Sequence, residues 1–205
     1  MNSLEEFLQF AETIPGWTRA EEAEALTRHT YDLPDHAVIV EIGSFLGSGT
    51  VMLAGARKLR GSGKVYCVDP FDASGDSFSV PHYQAIIAGF QATQRDLFNK
   101  HIEDAALADW VEVCQGKAEQ VASNWTTPID LLFLDGDQSP SGAKAAYDAW
   151  QPWLKSGGLI ALHNSSPRQY DVDHDGHYLL AVNEIQPPAY RERRVVGSIT
   201  FGRKT

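Results

Sequence analysis

The residues most capable of chemistry stand where apolar runs stop. In "VIVEIGSFLGSGT", residues 38–50, an apolar stretch breaks into glycines and small polar residues, as a buried strand does where it turns into a helix over a ligand. Gly43 and Gly47 allow a tight turn and a close approach of backbone to a bound molecule. No Lys follows the last glycine, and Phe45 stands where G-x-G-x-x-G needs its middle glycine, so neither phosphate-loop pattern holds. Glu41 would set a carboxylate beside any pyrophosphate, an unfavourable pairing, but it suits a ligand with a positive amino group. The plainer alternative is a structural strand-to-helix turn.

Further on, "VYCVDPFD" ends an apolar run in Asp69, one β-α-β unit after Glu41. There an acid can take both ribose hydroxyls; a solvated turn carboxylate is the alternative. A ribose site without a phosphate loop points to a nucleoside. "QGKAE" offers Gly116, Lys117 and Ala118 as backbone to pass under an adenine ring. "DLLFLDGDQS" ends in Asp135, and "GGLIALHNSS" ends in His163 and Asn164. If these two ends are neighbours, Asp135, His163 and Asn164 converge, either as ligands of a divalent ion or as a hydrogen-bonded cluster without one.

These positions require elements to hold them. Amphipathic helices are expected at 3–13 and 19–29, the second opened by Thr18 with Glu21 as a capping box. Strands follow at 37–42, 64–69, 110–114, 129–134 and 158–163. They alternate with helices at 47–59, about 82–103, 117–124, 140–154 and 177–185. Strands apolar almost throughout, such as "VIVEI" and "IDLLFL", belong to a parallel sheet covered on both faces. The last two, 191–196 and 198–203, are joined through Gly197 and Ser198 and must form an antiparallel hairpin. The fold class is α/β, with ligands expected at the carboxyl ends of the strands.

The 205 residues suit a domain with a sizeable core, 43% hydrophobic and 21% charged, with a net charge of −10. That charge disfavours a nucleic-acid or anionic-membrane surface, and no apolar stretch approaches the roughly 20 residues of a membrane span. The acidic start "MNSLEEFLQF" lacks the signal-peptide pattern, so a cytoplasmic protein is expected. Cys67 and Cys114, both in strands, are expected as buried free thiols.

Taken together, "VIVEIGSFLGSGT", "VYCVDPFD" and "PIDLLFLDGDQS…WLKSGGLIALHNSS" resemble the class I S-adenosylmethionine-dependent methyltransferases. The likeness is to the small bacterial branch with cephalosporin-hydroxylase-like and macrolide-sugar O-methyltransferase proteins, and runs from about residue 15 to the end. It implies a Rossmann-like seven-stranded sheet of order 3-2-1-4-5-7-6, with residues 1–30 as a helical cap on a domain of residues 31–205. By this resemblance Glu41, Gly43, Ser44 and Gly47 hold the methionine part of S-adenosyl-L-methionine, Asp69 the ribose, and Gly116, Lys117 and Ala118 the adenine. The implied reaction is methylation of a hydroxyl on a small molecule (a sugar, phenol or natural product), with Asp135 and His163 at the acceptor oxygen. A divalent cation such as Mg²⁺ would sit on Asp135, His163 and Asn164. Gln138 and Asn164 replace a His and an Asp usual in the branch. A homo-oligomer is compatible with the resemblance.

Trp17, in "IPGWT", is expected to roof the acceptor pocket. "DVDHDGHY" starts with calcium-loop spacing, but Val182 stands where that loop needs a bidentate Glu. A solvent-exposed lid over the substrate entrance fits better, and surface positions suit His174 and His177 equally well. The rival functions are a nicotinamide-dependent oxidoreductase, disfavoured by Phe45 and Glu41, and a non-catalytic nucleoside-binding protein.

Overall fold

A strand with apolar side chains on both sides must be covered on both sides, and β4 (Ile129–Leu134, "IDLLFL") is buried at every residue. The structure, a computed structural model, describes residues Met1–Thr205. Helices α1 (Leu4–Glu12) and α2 (Ala20–Tyr31) come first, then β1 (Val38–Ile42), α3 (Ser48–Arg60) and β2 (Lys64–Asp69). Next are α4 (Ser79–Ala88), α5 (Gln94–Asp104), β3 (Val111–Gln115), α6 (Ala118–Ala122), β4 and α7 (Pro140–Trp150). The chain finishes with β5 (Leu154–Leu162), α8 (Gly176–Asn183), β6 (Tyr190–Val196) and β7 (Ile199–Lys204).

The seven strands lie in the order β3-β2-β1-β4-β5-β7-β6. The first five are parallel, and β7 runs antiparallel to both β5 and β6. Alternation along β4 feeds two cores. Leu131 and Phe133 join a cluster with α1, α2, α3 and α5, while Leu132 and Leu134 join one with α7 and α8. Strand order reverses between β1 and β4, so a crevice opens above their carboxyl ends.

The N-terminal helices are bolted to α3. Gly55 admits the Phe7 ring, which a Cβ there would strike. Arg57, fully buried, donates to the carbonyls of Thr30, Leu33, Pro34 and Ser62 at 2.8–3.2 Å. Its charge is met by the carbonyl dipoles at the end of α2, where a cation is favoured.

Sequence and structure differ at particular points. The helix expected over about 82–103 is two helices, because the chain leaves α4 at Gly89 and α5 starts from its own capping box. There Thr93 Oγ1 accepts from Asp96 N at 3.1 Å and Asp96 accepts from Thr93 N at 3.3 Å. The helix expected to reach 154 stops at Trp150, where Pro152 imposes a short 3₁₀ turn and β5 begins at Leu154. The N-cap of α2 is Arg19 rather than Thr18, and Glu22, not Glu21, reaches back to its N–H. Cys67 is buried, but Cys114 is only half-buried.

Candidate active site

Gly43 ties three strand tips together. Its N–H donates to Val68 O at 2.9 Å, and Asp135 N–H donates to Ile42 O at 2.8 Å. Gly43 has φ +88°, and a Cβ on it would lie 2.5 Å from Asp135 O, so this turn needs glycine for both conformation and space. Gly47, at φ +95°, ends the loop as the N-cap of α3. Glu41 lies beneath, 1% exposed. Ser44 Oγ donates to its carboxylate at 2.8 Å, and Thr50 Oγ1 also donates to it. Burial pushes the Glu41 carboxyl up to about 7 against those two hydrogen bonds.

Asp69 is also buried. It accepts N–H groups from Phe45 at 2.9 Å and Phe71 at 2.6 Å, and the Gln94 amide at 3.2 Å. Burial still raises its carboxyl, to about 6. Three of a carboxylate's roughly four acceptor sites are thereby used.

Two cavities meet at the β1–β4 crevice. The smaller, about 250 Å³, is lined by Asp69, Gly116, Lys117 and Ala118 among others. The larger, about 700 Å³, takes in Glu41, Ser44, Asp135, His163 and Asn164. Gly43, Phe45, Tyr83 and Asp135 line both. Gly47 lines neither; it shapes the loop. Trp17, 45% exposed, stands on the wall of the larger cavity, with its ring 5.5 Å from Phe45 and 5.3 Å from Tyr83.

Asp135 and His163 do converge. His163 Nδ1 lies 2.6 Å from Asp135 Oδ1, and its Nε2 lies 3.7 Å from Glu22 Oε1. Burial lowers the imidazole's affinity for a proton, but the two flanking carboxylates outweigh it and hold the pKa at about 9. Burial likewise opposes charge on Glu22, yet the nearby His163 ring and the hydrogen bond from Ser198 keep it at about 2. Sequence reasoning misses Glu22 as a site residue, since no motif marks it and the cap pattern points to its neighbour Glu21. The Glu22 side chain also accepts Ser198 N–H, joining α2 to the β6–β7 turn over Gly197, where a Cβ would collide with it.

Asn164 turns elsewhere. Its Oδ1 accepts from the Arg168 guanidinium at 2.6 Å, and its amide lies 3.5 Å from His174 Nε2. Asp135 Oδ1 and His163 Nδ1 thus engage each other, while Asn164 Oδ1 is taken by the Arg168 guanidinium. No group of three or more His, Cys, Asp and Glu side chains is arranged to hold a metal ion.

The segment before α8 covers the larger cavity, and Arg168, Tyr170, Asp171 and His174 form part of its wall. His174 and His177 are not surface residues; they are 7% and 1% exposed. His177 Nδ1 is 2.9 Å from the His163 carbonyl, and burial lowers its pKa to about 4. His174 Nδ1 is 3.1 Å from Asp76 Oδ1. Asp76 also receives N–H groups from Phe78, Ser79 and Gln138. These bonds draw the β2–α4 loop, the end of β4 and the covering segment together. Asp76 and Tyr83 sit in the stretch read from sequence as a loop and the start of a long helix, so their roles had no periodic signal.

This sheet order, with its glycine turn after β1 and acids at the carboxyl ends of β1, β2 and β4, defines a Rossmann-like methyltransferase fold. Residues 40–165 match the family described as "Methyltransferase domain", and the chain belongs to that family. Its fold is shared with cofactor-bound Rv0187 from MTB, at 16% identity over 98% of this chain and 88% of that one, with a TM-score of 0.68. It is shared too with the O-methyltransferase TomG from Streptomyces achromogenes, solved in complex with SAM, at 16% identity over 98% and 89% of the chains, TM-score 0.64. CalS11, a TDP-rhamnose 3'-O-methyltransferase of calicheamicin biosynthesis, is 18% identical over 88% and 76%, TM-score 0.57. No helix of the chain is long and apolar enough to cross a membrane.

Proposed function

We propose that the protein transfers the methyl group of S-adenosyl-L-methionine to a hydroxyl of a small molecule. The observation that carries this is the pair of cavities meeting at Gly43, Phe45, Tyr83 and Asp135, with buried Asp69 on the smaller and buried Glu41 on the larger. The cofactor supplies an electrophilic methyl on a sulfonium. Its adenosine end fits the smaller cavity, where Asp69 has capacity for about one ribose hydroxyl and Gly116, Lys117 and Ala118 face the adenine. Its amino-acid end fits beside Glu41 and the Gly43–Ser44 turn, where a cationic amino group compensates a buried carboxylate. The helical cap of residues 1–30 adds Trp17, Thr18 and Glu22 to the acceptor wall.

Methyl transfer is an in-line displacement that depends chiefly on alignment. Asp135, on the wall common to both cavities, is the group that takes the acceptor's proton. His163, held protonated near neutral pH by its two carboxylates, orients Asp135 through the 2.6 Å hydrogen bond. Asp135, His163 and Asn164 do not fit a divalent cation as they stand, since Asp135 Oδ1 and His163 Nδ1 bond each other and Asn164 Oδ1 accepts from the Arg168 guanidinium. No step is routed through an ion.

The test is calorimetry with S-adenosylmethionine, S-adenosylhomocysteine and NAD, followed by labelled-methyl transfer with and without a chelator. Binding of the two sulfur nucleosides but not NAD, and chelator-resistant turnover, are expected. Preference for NAD would overturn the reading.

A further inference from the structure

The larger cavity has an unusual wall. Ligand pockets are lined mostly by hydrophobic side chains, yet this one contains no Leu, Ile, Val, Met or Ala. Apart from Pro15, its apolar surface comes from the rings of Trp17, Phe45, Phe78, Tyr83 and Tyr170. Two of these are well exposed, Trp17 at 45% and Phe78 at 41%. Every other wall residue is polar, charged or glycine.

Three residues of the same wall also carry a polar atom that no other group of the protein meets. Thr18 Oγ1, Gln138 Oε1 and Ser198 Oγ are buried without a partner, and Thr18 and Gln138 are each 3% exposed. A polar atom left so costs about 1–3 kcal/mol until a ligand or water group meets it. These atoms lie on three separate elements: the α1–α2 connection, the loop after β4 and the β6–β7 turn. A planar phenol offers one or two hydroxyls on one edge and cannot address three sides. A ring with hydroxyls around its whole rim can, and its C–H faces suit the electron-rich faces of aromatic side chains.

We propose that the methyl acceptor is a polyhydroxylated ring, a sugar or cyclitol or the glycosyl part of a larger molecule. It lies against the aromatic faces with one hydroxyl at Asp135. This rests on the methyl-transfer reading above. In the step, a bond forms between the acceptor oxygen and the methyl carbon as the carbon–sulfur bond breaks. The sulfur keeps the electron pair as a neutral thioether, and the hydroxyl proton passes to the Asp135 carboxylate.

The experiment is saturation-transfer NMR on the full chain, with and without S-adenosylhomocysteine. The probes are methyl α-glucoside, methyl α-rhamnoside and myo-inositol, set against catechol and caffeic acid. At least one polyol is expected to bind and to accept labelled methyl. Phenols should be disfavoured by about 10²-fold or more, since a site built for hydroxyls rejects molecules that leave its polar groups unpaired. Gln138→Leu and, on a different element, Thr18→Val should each lower polyol affinity about tenfold while nucleoside affinity stays unchanged. Binding or methylation of the phenols in preference, or no polyol binding at all, overturns the proposal. Polyol binding without any S-adenosylhomocysteine binding would leave the pocket's chemistry standing and sink the methyl-transfer reading instead.

Discussion

Glu22 Oε1 lies 3.7 Å from His163 Nε2, so an acid from the second helix of the cap reaches an imidazole at the end of the fifth strand. Glu22→Gln removes one of the two carboxylates that favour the charged ring. The His163 pKa should then fall from about 9 toward its ordinary value near 6.5. Imidazole NMR titration reads this directly; a His163 that still titrates near 9 in the variant would assign its stabilisation to Asp135 alone.

Asp135→Asn keeps the shape of the side chain and removes the proton acceptor. Turnover should drop by about 10²–10⁴-fold, with S-adenosylhomocysteine affinity preserved. Asp69→Ala should do the reverse, weakening the nucleoside severely. Steady-state rates and calorimetry on the two variants separate the roles, and wild-type turnover in Asp135→Asn would remove Asp135 from the reaction.

The cofactor's affinity should depend on pH through Glu41. Burial holds this carboxyl at about 7 in the free protein, whereas a neighbouring ammonium favours its charged form. Below pH 7 binding must therefore expel a proton, so affinity rises from pH 6 to pH 8 and levels off once Glu41 is ionised. Calorimetry at pH 6 in buffers of different ionisation enthalpy should show proton release that disappears in Glu41→Gln. Equal heats across the buffers would contradict it.

Acid should loosen the closure over the cavity. Burial alone would raise the Asp76 carboxyl, but hydrogen bonds from His174 and Ser79 hold it at about 2, below the roughly 3.9 of an unfolded chain. A depressed acid contributes stability above its unfolded value and loses it as pH falls through the folded one. About 2 kcal/mol should therefore be present at pH 7 and fade between about pH 4 and pH 2. Asp76→Asn should lower the urea midpoint at pH 7 and differ little from wild type near pH 2. A constant gap across that window would show that Asp76 acts through something other than its charge.

Gly43 at φ +88° faces the Asp135 carbonyl. Gly43→Ala adds both strain and a clash with backbone, so a loss of at least about 2 kcal/mol is expected together with weakened nucleoside binding. Thermal melts with and without S-adenosylhomocysteine give both readings.

Much of this was legible in the chain itself. Runs such as "VIVEI" and "IDLLFL" had to be buried on both faces, and a two-residue link at Gly197 and Ser198 forced a hairpin. The cofactor-side residues were readable because each stands at the end of its own strand, where local sequence places it. What local pattern could not supply were contacts between distant segments. Glu22 stands one residue beyond Glu21, the acid that the cap pattern picks out, and the pairing of Asp76 with His174 spans elements with no shared periodicity. His174 and His177 read as surface residues in a polar loop, and only the packing of that loop against the ends of β4 and β5 buried them. The pattern before β3 predicts one long helix, but Gly89 and the capping Thr93 divide it into α4 and α5.

The sequence by itself therefore determined the strand ends and the residues standing on them, since side-chain alternation and glycine turns are local and cooperative. The tertiary structure decided which of those residues touch, what charge the buried ones carry and what kind of wall the acceptor meets. Desolvation and hydrogen bonding between remote segments exist only once the chain has closed on itself.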